Sequence, residues 1–291
     1  MSPDWADRIA ERLLNEGFTA EGVCLVLGAS DTGKTTLIGA MARRIASRQP
    51  VAIVDADIGQ SHLGPPTTVG WAVVANAETD LEELGPAGIS FVGDVTPLGH
   101  LLQLTAAVVQ CVRQASDAAP LVLIDTPGLV RGPAAAALWW TLQRVLQPEQ
   151  IIAVQRSDEL GPVLSGLNPS ELRLDVIECP PDMPVKSPEH RRDYRLERFR
   201  RYFRGSGLYD IDLATVAVQP RRQFNPSSVI HHLVALSDGR GRDLAVGLIT
   251  DWRPDGKNAT IMTPQLNVES VRCLVVGDVF VDVADLQGSE R

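Results

Sequence analysis

Cysteine is scarce: the 291-residue chain has four, Cys24, Cys111, Cys179 and Cys273, all far apart. No two share a short metal-binding or redox spacing, so a cysteine-based motif is excluded and a reduced, cytoplasmic protein is expected. Uninterrupted apolar segments are lacking as well. Residues 1–20 alternate charge with apolar positions where a secretory signal needs an apolar core. The long uncharged stretch Val95–Val112 is broken by Pro, Gly, His and Gln, so no membrane span is expected. There is no internal repeat and no low-complexity tract. Positive charge is in deficit, with 27 Lys plus Arg against 36 Asp plus Glu and a net charge of −9. That excludes a protein coated all round with nucleic-acid-binding charge, and any polyanion must be met locally. What is present, 44% hydrophobic and 22% charged residues, is an ordinary globular composition over about two domains' length.

From Val23 to about Ile177 short apolar runs alternate with segments of helical period, the rhythm of a parallel sheet with crossover helices. Strands are expected at Val23–Leu27, Val51–Asp55, Ile89–Val92, Leu121–Asp125, Ile151–Gln155 and Leu172–Ile177. Helices are expected at Lys34–Ser47, Gly99–Ala115 and Pro133–Leu146. Trp5, Ile9 and Leu13 recur at helical spacing, which predicts an N-terminal helix within residues 1–20. After the proline-rich break Cys179–Pro184 and an arginine-rich segment, short β-branched runs at Val229–Leu236, Leu244–Thr250, Thr260–Thr263 and Val271–Val276 predict a small β-rich appendage. The expected division is a helix over 1–20, a main domain over 21–205 and a β-rich domain over 206–291.

Gly28-Ala29-Ser30-Asp31-Thr32-Gly33-Lys34-Thr35 is a complete G-x-x-x-x-G-K-[ST] motif between an apolar strand and a helix. The glycines let successive N–H groups wrap a β-phosphate at the positive end of the following helix. Lys34 then reaches the β- and γ-phosphate oxygens, and the Thr35 hydroxyl is the expected Mg²⁺ ligand. The binding segment is taken through Thr36, and the fold class follows: α/β, a P-loop NTPase with parallel sheet and flanking helices, plus the C-terminal β-rich domain.

Such a protein needs an acid at a neighbouring strand end to hold Mg²⁺ or orient the nucleophile. Two segments compete, Asp55-Ala-Asp57-Ile-Gly-Gln60 and Asp125-Thr-Pro-Gly128. One acid can serve the metal while another positions a hydroxyl proton, a division that suits transfer to an alcohol; the alternative is that one of them, Asp55 for example, only caps its turn. A GTPase would need Asn-Lys-x-Asp after the next strand, where Gln155-Arg-Ser-Asp158 lacks both the Asn and the Lys. The dimeric ATPases with a second loop lysine would carry it where this chain has Ala29.

Lys186–Arg204 holds eight Lys/Arg (186, 191, 192, 195, 198, 200, 201, 204) against three acids, a segment of +5 on a remainder of −14. At 100° per residue Arg191, Arg195 and Arg198 fall in one stripe, with Leu196, Phe199 and Phe203 about a quarter-turn away. This predicts a helix that docks by its apolar side and presents guanidinium groups, as a lid neutralising a transferred phosphoryl group does. The alternative is a solvated charged helix.

Taken in order, these motifs resemble the polynucleotide 5′-hydroxyl kinases related to the kinase subunit of the pre-mRNA cleavage complex and to the kinase of ribosomal RNA processing. The match runs from the Gly28–Thr36 loop through Asp55-Ala-Asp57-Ile-Gly-Gln60, Gly64-Pro-Pro-Thr-Thr68 entering a strand, Phe91-Val-Gly93-Asp-Val-Thr96-Pro97 and Asp125–Gly132 to Arg191-x-x-x-Arg195 and Tyr202-Phe203. Val246-Gly247-Leu248 and Thr263-Pro264 extend it to the tail. The resemblance implies ATP and Mg²⁺ at Lys34 and Thr35; beside Thr35, the strand-end acids Asp55 and Asp125 and Gln60 are the candidate metal ligands. It implies Asp57 as the group that accepts or orients the 5′-hydroxyl proton, Gln60 near metal or nucleophile, and Arg191 and Arg195 as the lid pair. Leu129 departs from the Trp of many relatives. About twenty residues precede the first strand, where the eukaryotic relatives carry an N-terminal β-domain, so a short form is expected.

The expected function is therefore phosphoryl transfer from ATP to the 5′-hydroxyl end of RNA, DNA or both, with no membrane partner and no protein partner assigned. The competing readings are a nucleotide-dependent ATPase or GTPase switch without a nucleic-acid acceptor, and a kinase of small metabolites.

Overall fold

The computed structural model describes residues 3–80, 83–167, 172–220, 228–253, 257–264 and 266–287. Residues 1–2 and 288–291, the ends of the first and last expected segments, lie outside the described residues. Helix α1 (Pro3–Asn15) precedes β1 (Gly22–Gly28), α2 (Lys34–Ala46), β2 (Val51–Asp55), β3 (Thr68–Val74) and β4 (Gly88–Phe91). Then come α3 (Leu101–Ser116), β5 (Leu121–Asp125), α4 (Gly132–Leu146), β6 (Gln150–Gln155), the single turn α5 (Gly161–Leu164) and β7 (Arg173–Glu178).

Five strands form a parallel sheet in the order β7-β6-β1-β5-β2. Their near-continuous apolar sequences are those of strands covered on both faces. Alternate side chains serve opposite layers. Leu25, Val54, Ile124 and Ala153 pack with Leu104 and Val108 of α3 and Leu138 and Trp139 of α4. Val26, Ile53, Leu123 and Val154 pack with Leu13 of α1 and Leu37, Met41 and Ile45 of α2. In the predicted α1 stripe Leu13 is fully buried, while Trp5 and Ile9 are partly buried against that second layer. Among the described residues no helix is long and apolar enough to cross a membrane.

The parallel expectation needs one correction. β3 pairs antiparallel with β2, and β4, at the Ile89 run, pairs antiparallel with β3. No helix separates β2 from β3, so the chain returns beside its own strand; a parallel return requires a crossover of a dozen residues or more.

After β7 the arginine-rich segment forms α6 (Pro188–Phe203), started by Pro188 and by Ser187, whose hydroxyl accepts from His190 N at 3.2 Å. The remaining chain supplies β8 (Gly207–Asp212), β9 (Ala217–Pro220), β10 (His232–Ser237), β11 (Asp243–Trp252), β12 (Asn258–Thr263), β13 (Cys273–Phe280) and α7 (Val283–Gln287). Their order is β9-β13-β10-β11-β12-β8, antiparallel except for β13 with β9. A single pair, Ile89 with Asp243, joins this group to β4. The Asp243 carboxylate strengthens the join by accepting from Phe91 N at 2.6 Å. One face of the group is covered by α6, whose Phe199 and Phe203 pack on Leu233, Val246 and Leu248.

Candidate active site

The loop between β1 and α2 follows from its glycines. Gly33 has φ +92°, and a Cβ on Gly28 would lie 2.5 Å from Val154 O; neither position accepts a side chain without movement. Thr32 Oγ1 and Lys34 Nζ both donate to Ala29 O at 3.0 Å, which closes the loop on itself. The turn after β5 closes against it from the next strand, because Gly128 leaves room for Ser30: a Cβ there would meet Ser30 N at 2.6 Å.

Asp55 and Asp125 end adjacent parallel strands as register partners. Both are buried, and burial raises both carboxyls above the ordinary range. Backbone hydrogen bonds from Leu63 oppose the rise at Asp55, and the Lys34 charge opposes it at Asp125. Their surroundings differ. Asp55 spends its oxygens on the following turn: Oδ1 accepts from Asp57 N at 3.0 Å, and Oδ2 from His62 N at 2.5 Å and Leu63 N at 3.0 Å. Asp125 Oδ2 accepts the hydroxyl hydrogen bond of Thr35, and its buried Oδ1 has no partner among the described residues. Asp57, partly exposed, accepts from Gly59 N and Gln60 N through Oδ1, each at 3.2 Å. Its Oδ2 has no hydrogen bond among the described residues.

Helix α6 lies against this loop. Arg191 Nη2 pairs with Asp31 Oδ2 at 2.5 Å, and the same oxygen accepts from Lys186 N at 3.0 Å. Lys186 Nζ donates to Gln60 Oε1 at 3.3 Å and stands over the Tyr194 ring. Tyr194 OH donates to Ser61 O at 3.2 Å; Arg198 Nη2 donates to His62 O and, at 3.2 Å, to Gly64 O. The Arg191, Arg195 and Arg198 stripe thus faces the phosphate loop and the Asp57 turn. Arg195 lies between the two anchored arginines with no hydrogen bond among the described residues. Partial burial, then the charges of Arg191 and Arg192, push its guanidinium below the arginine range, while Asp57 pulls it up.

A cavity of about 790 Å³ collects Asp31, Gly33, Lys34, Thr35, Thr36, Asp55, Asp57, Gln60 and Asp125, together with Met183 and Lys186. Gly28, Ala29, Ser30 and Thr32 shape the loop from behind, and Arg191 and Arg195 stand at its side. A lysine and an anion-cradling loop beside a partly solvated carboxylate is an arrangement able to hold a nucleotide's phosphates and take a proton from a hydroxyl. Sequence reasoning did not find the lid contacts of Asp31, Lys186, Tyr194 and Arg156, whose Nη2 donates to Asp31 O at 2.6 Å. Lys186 was visible only as one charge of a basic run. Trp139 and Trp71 do not line the cavity: Trp139 is buried with Nε1 on Leu129 O at 2.8 Å, and Trp71 Nε1 donates to Gln114 Oε1 at 2.9 Å.

A polyribonucleotide 5′-hydroxyl-kinase of Pyrococcus abyssi is 34% identical over 195 residues, 67% of this chain and 54% of its own length. One of Pyrococcus furiosus is 33% identical over 206 residues, 70% of this chain and 57% of its own. The chain therefore spans about half the length of the curated relatives it matches. A solved structure of a wild-type Clp1p–Pcf11p complex superposes with a TM-score of 0.72 over 96% of this chain and 78% of that one, at 15% identity, a likeness of fold. The sequence model described as mRNA cleavage and polyadenylation factor CLP1 P-loop matches residues 28–205. That span runs from the phosphate loop through the arginine helix, well over half of the sequence, and the chain belongs to this CLP1 P-loop family.

Proposed function

We propose that this chain is an ATP-dependent polynucleotide 5′-hydroxyl kinase, with RNA ends as the acceptor its relatives' names favour. The observation that carries the reading is the free Oδ2 of Asp57, in the wall of the cavity that also holds Lys34, Thr35 and Asp125. Asp57 takes the proton of the terminal hydroxyl, whose oxygen bonds to the γ-phosphorus. The bond from that phosphorus to the bridging oxygen breaks, and its electron pair leaves on ADP. Lys34 and the loop N–H groups hold the β- and γ-phosphates, and Arg195, supported by Arg191, stabilises the charge of the transferred group.

Mg²⁺ fits the site: the partnerless buried Asp125 Oδ1 and the Thr35 hydroxyl form a hard oxygen set beside the phosphate cradle. When bound, the ion neutralises charge on the β- and γ-oxygens. Asp55, with both oxygens committed to backbone N–H groups, holds the Asp57 turn in place, and Gln60 ties that turn to Lys186. The four cysteines are all free, which suits a reducing, cytoplasmic setting. The chain is further read as dividing near Gly205, with the kinase unit over 21–205 and the β-rich unit over 206–291.

The test is labelled ATP offered with 5′-hydroxyl RNA and DNA oligomers and with free nucleosides. Label should pass to oligomer ends, and Lys34→Ala and Asp57→Ala should abolish transfer while circular dichroism reports an intact fold. Hydrolysis indifferent to oligomer ends, with no phosphorylated product, would establish the nucleotide switch instead; transfer to nucleosides alone would establish a metabolite kinase.

A further inference from the structure

Away from the nucleotide cavity, three side chains from three elements converge. Asp94 lies in the loop after β4, His100 immediately before α3, and Asp278 on β13. His100 Nε2 is 3.2 Å from Asp94 Oδ2 and 3.6 Å from Asp278 Oδ2, and the three ligand atoms lie within 4.8 Å of one another. His100 is buried and the two carboxylates are partly buried.

We propose that Asp94, His100 and Asp278 form a binding site for a divalent cation of the zinc or manganese class, which clamps β13 to the loop behind the Asp57 turn. Donors bound at about 2.0–2.2 Å to a tetrahedral ion stand about 3.3–3.6 Å apart, close to the 3.2 and 3.6 Å that separate His100 Nε2 from the two carboxylates. One Nε2–H can serve Asp94 at 3.2 Å, whereas Asp278 at 3.6 Å is beyond hydrogen-bond reach and still converges on the same nitrogen. Imidazole with two carboxylates is a donor set for zinc or manganese more than for magnesium, which prefers oxygen and water.

The backbone holds this geometry. Asp94 Oδ1 accepts from Thr96 N at 3.0 Å, which turns Oδ2 toward His100. Such outer contacts orient metal ligands. Gly93 and Gly99, with φ of +83° and +84°, bend the loop at both ends. Asp278 N donates to Gly93 O at 2.8 Å, and Gly277 permits the approach, since a Cβ there would lie 2.8 Å from that same oxygen. The loop then continues to the acceptor side of the cavity, where a Cβ on Gly59 would meet Val95 O at 2.7 Å. An ion bound by Asp94 would therefore fasten the C-terminal strands to the support of the turn that carries Asp57.

The experiment is equilibrium dialysis of the full chain against Zn²⁺ or Mn²⁺ with excess Mg²⁺ and ADP occupying the phosphate loop, followed by metal analysis. Wild type should retain about one ion per chain, and His100→Gln and Asp278→Asn should lose it at least tenfold, as removal of one of three protein ligands requires. Crystals of the unaltered protein soaked in ZnCl₂ should give an anomalous peak between the three side chains. That arm does not depend on a variant that folds. Absence of the peak, or retention unchanged in both variants, would overturn the proposal and leave a histidine–carboxylate contact.

Discussion

Arg191 of the lid helix and Asp31 of the phosphate loop form an ion pair, Nη2 to Oδ2 at 2.5 Å, with the Asp31 side chain almost wholly buried. Asp31 has φ +59°, a left-handed conformation uncommon outside glycine and best tolerated by Asp and Asn. Its carboxylate also accepts from Lys186 N, and its carbonyl accepts from Arg156, so one strained residue ties the loop to two cationic segments. The loop that cradles phosphate thereby also sets where the lid stands.

Asp31→Asn keeps the shape and the tolerance for that backbone but removes the charge. A hydrogen bond to a charged group is worth about 1.5–3 kcal/mol, so the docked lid should be disfavoured by roughly tenfold or more. Turnover should fall by a similar factor, with the unfolding midpoint nearly unchanged. Arg191→Gln should do the same, and the double variant should be little worse than either. Rate measurements on the four proteins decide it: additive losses would mean that the pair contributes nothing as a unit.

Arg195→Ala should cost about 10³-fold in rate if the side chain acts as an arginine finger does. Its neighbours on the stripe are anchored to protein acceptors, whereas Arg195 has no hydrogen bond among the described residues and lies within electrostatic reach of Asp57. Arg195→Lys restores the charge without the planar fork and should recover only part of the loss. Single-turnover assays with saturating ATP separate this from weakened binding. A change under threefold would return Arg195 to the role of a solvated helix charge.

Tyr202 fastens α6 to the β-rich strands. Its hydroxyl accepts from Val246 N at 2.9 Å, and burial pushes the phenol up to about 12, so it stays neutral. In Tyr202→Phe the buried N–H loses its acceptor at a cost of about 1–3 kcal/mol. The urea midpoint should fall, while transfer per folded molecule stays near wild type because the residue does not line the cavity. A rate loss with unchanged stability would instead place Tyr202 in the lid's action.

The phosphate loop and the strand ends at Asp55 and Asp125 could be read from sequence because their constraints are local: glycines at fixed offsets and apolar runs closed by an acid. Helices α2 and α4 were legible to a residue or so for the same reason. α3 begins at Leu101, later than expected, because Gly99 takes a left-handed φ. Periodicity did not reveal β3, whose Gly70 interrupts the pattern and is required by contact with Leu63 O, a neighbour made only by folding. β8, half polar and paired only with β12, gave no apolar run. The pairing of Asp31 with Arg191 crosses 160 residues of sequence, and nothing in the spacing of either marks the other. Chemistry carried by one short segment was visible; chemistry assembled between segments was not.

Gly128→Ala tests the contact between the two nucleotide-facing turns. The added methyl would stand 2.6 Å from Ser30 N and 2.1 Å from Ser30 Oγ. The hydroxyl can rotate away, but the backbone nitrogen belongs to the phosphate cradle and cannot move without opening it. Gly128 itself is only partly buried, between the buried Pro127 and the core residue Val130, so the fold should survive with a fall in midpoint. Nucleotide affinity should fall by an order of magnitude or so, since misplaced N–H donors forfeit hydrogen bonds of about 1.5 kcal/mol or more to a charged partner. Titration with ADP and Mg²⁺ by calorimetry reads this directly. Ser30→Gly in the same chain removes the hydroxyl but not the nitrogen and should therefore fail to rescue; full rescue would show that the clash is with the side chain alone and that the cradle is undisturbed.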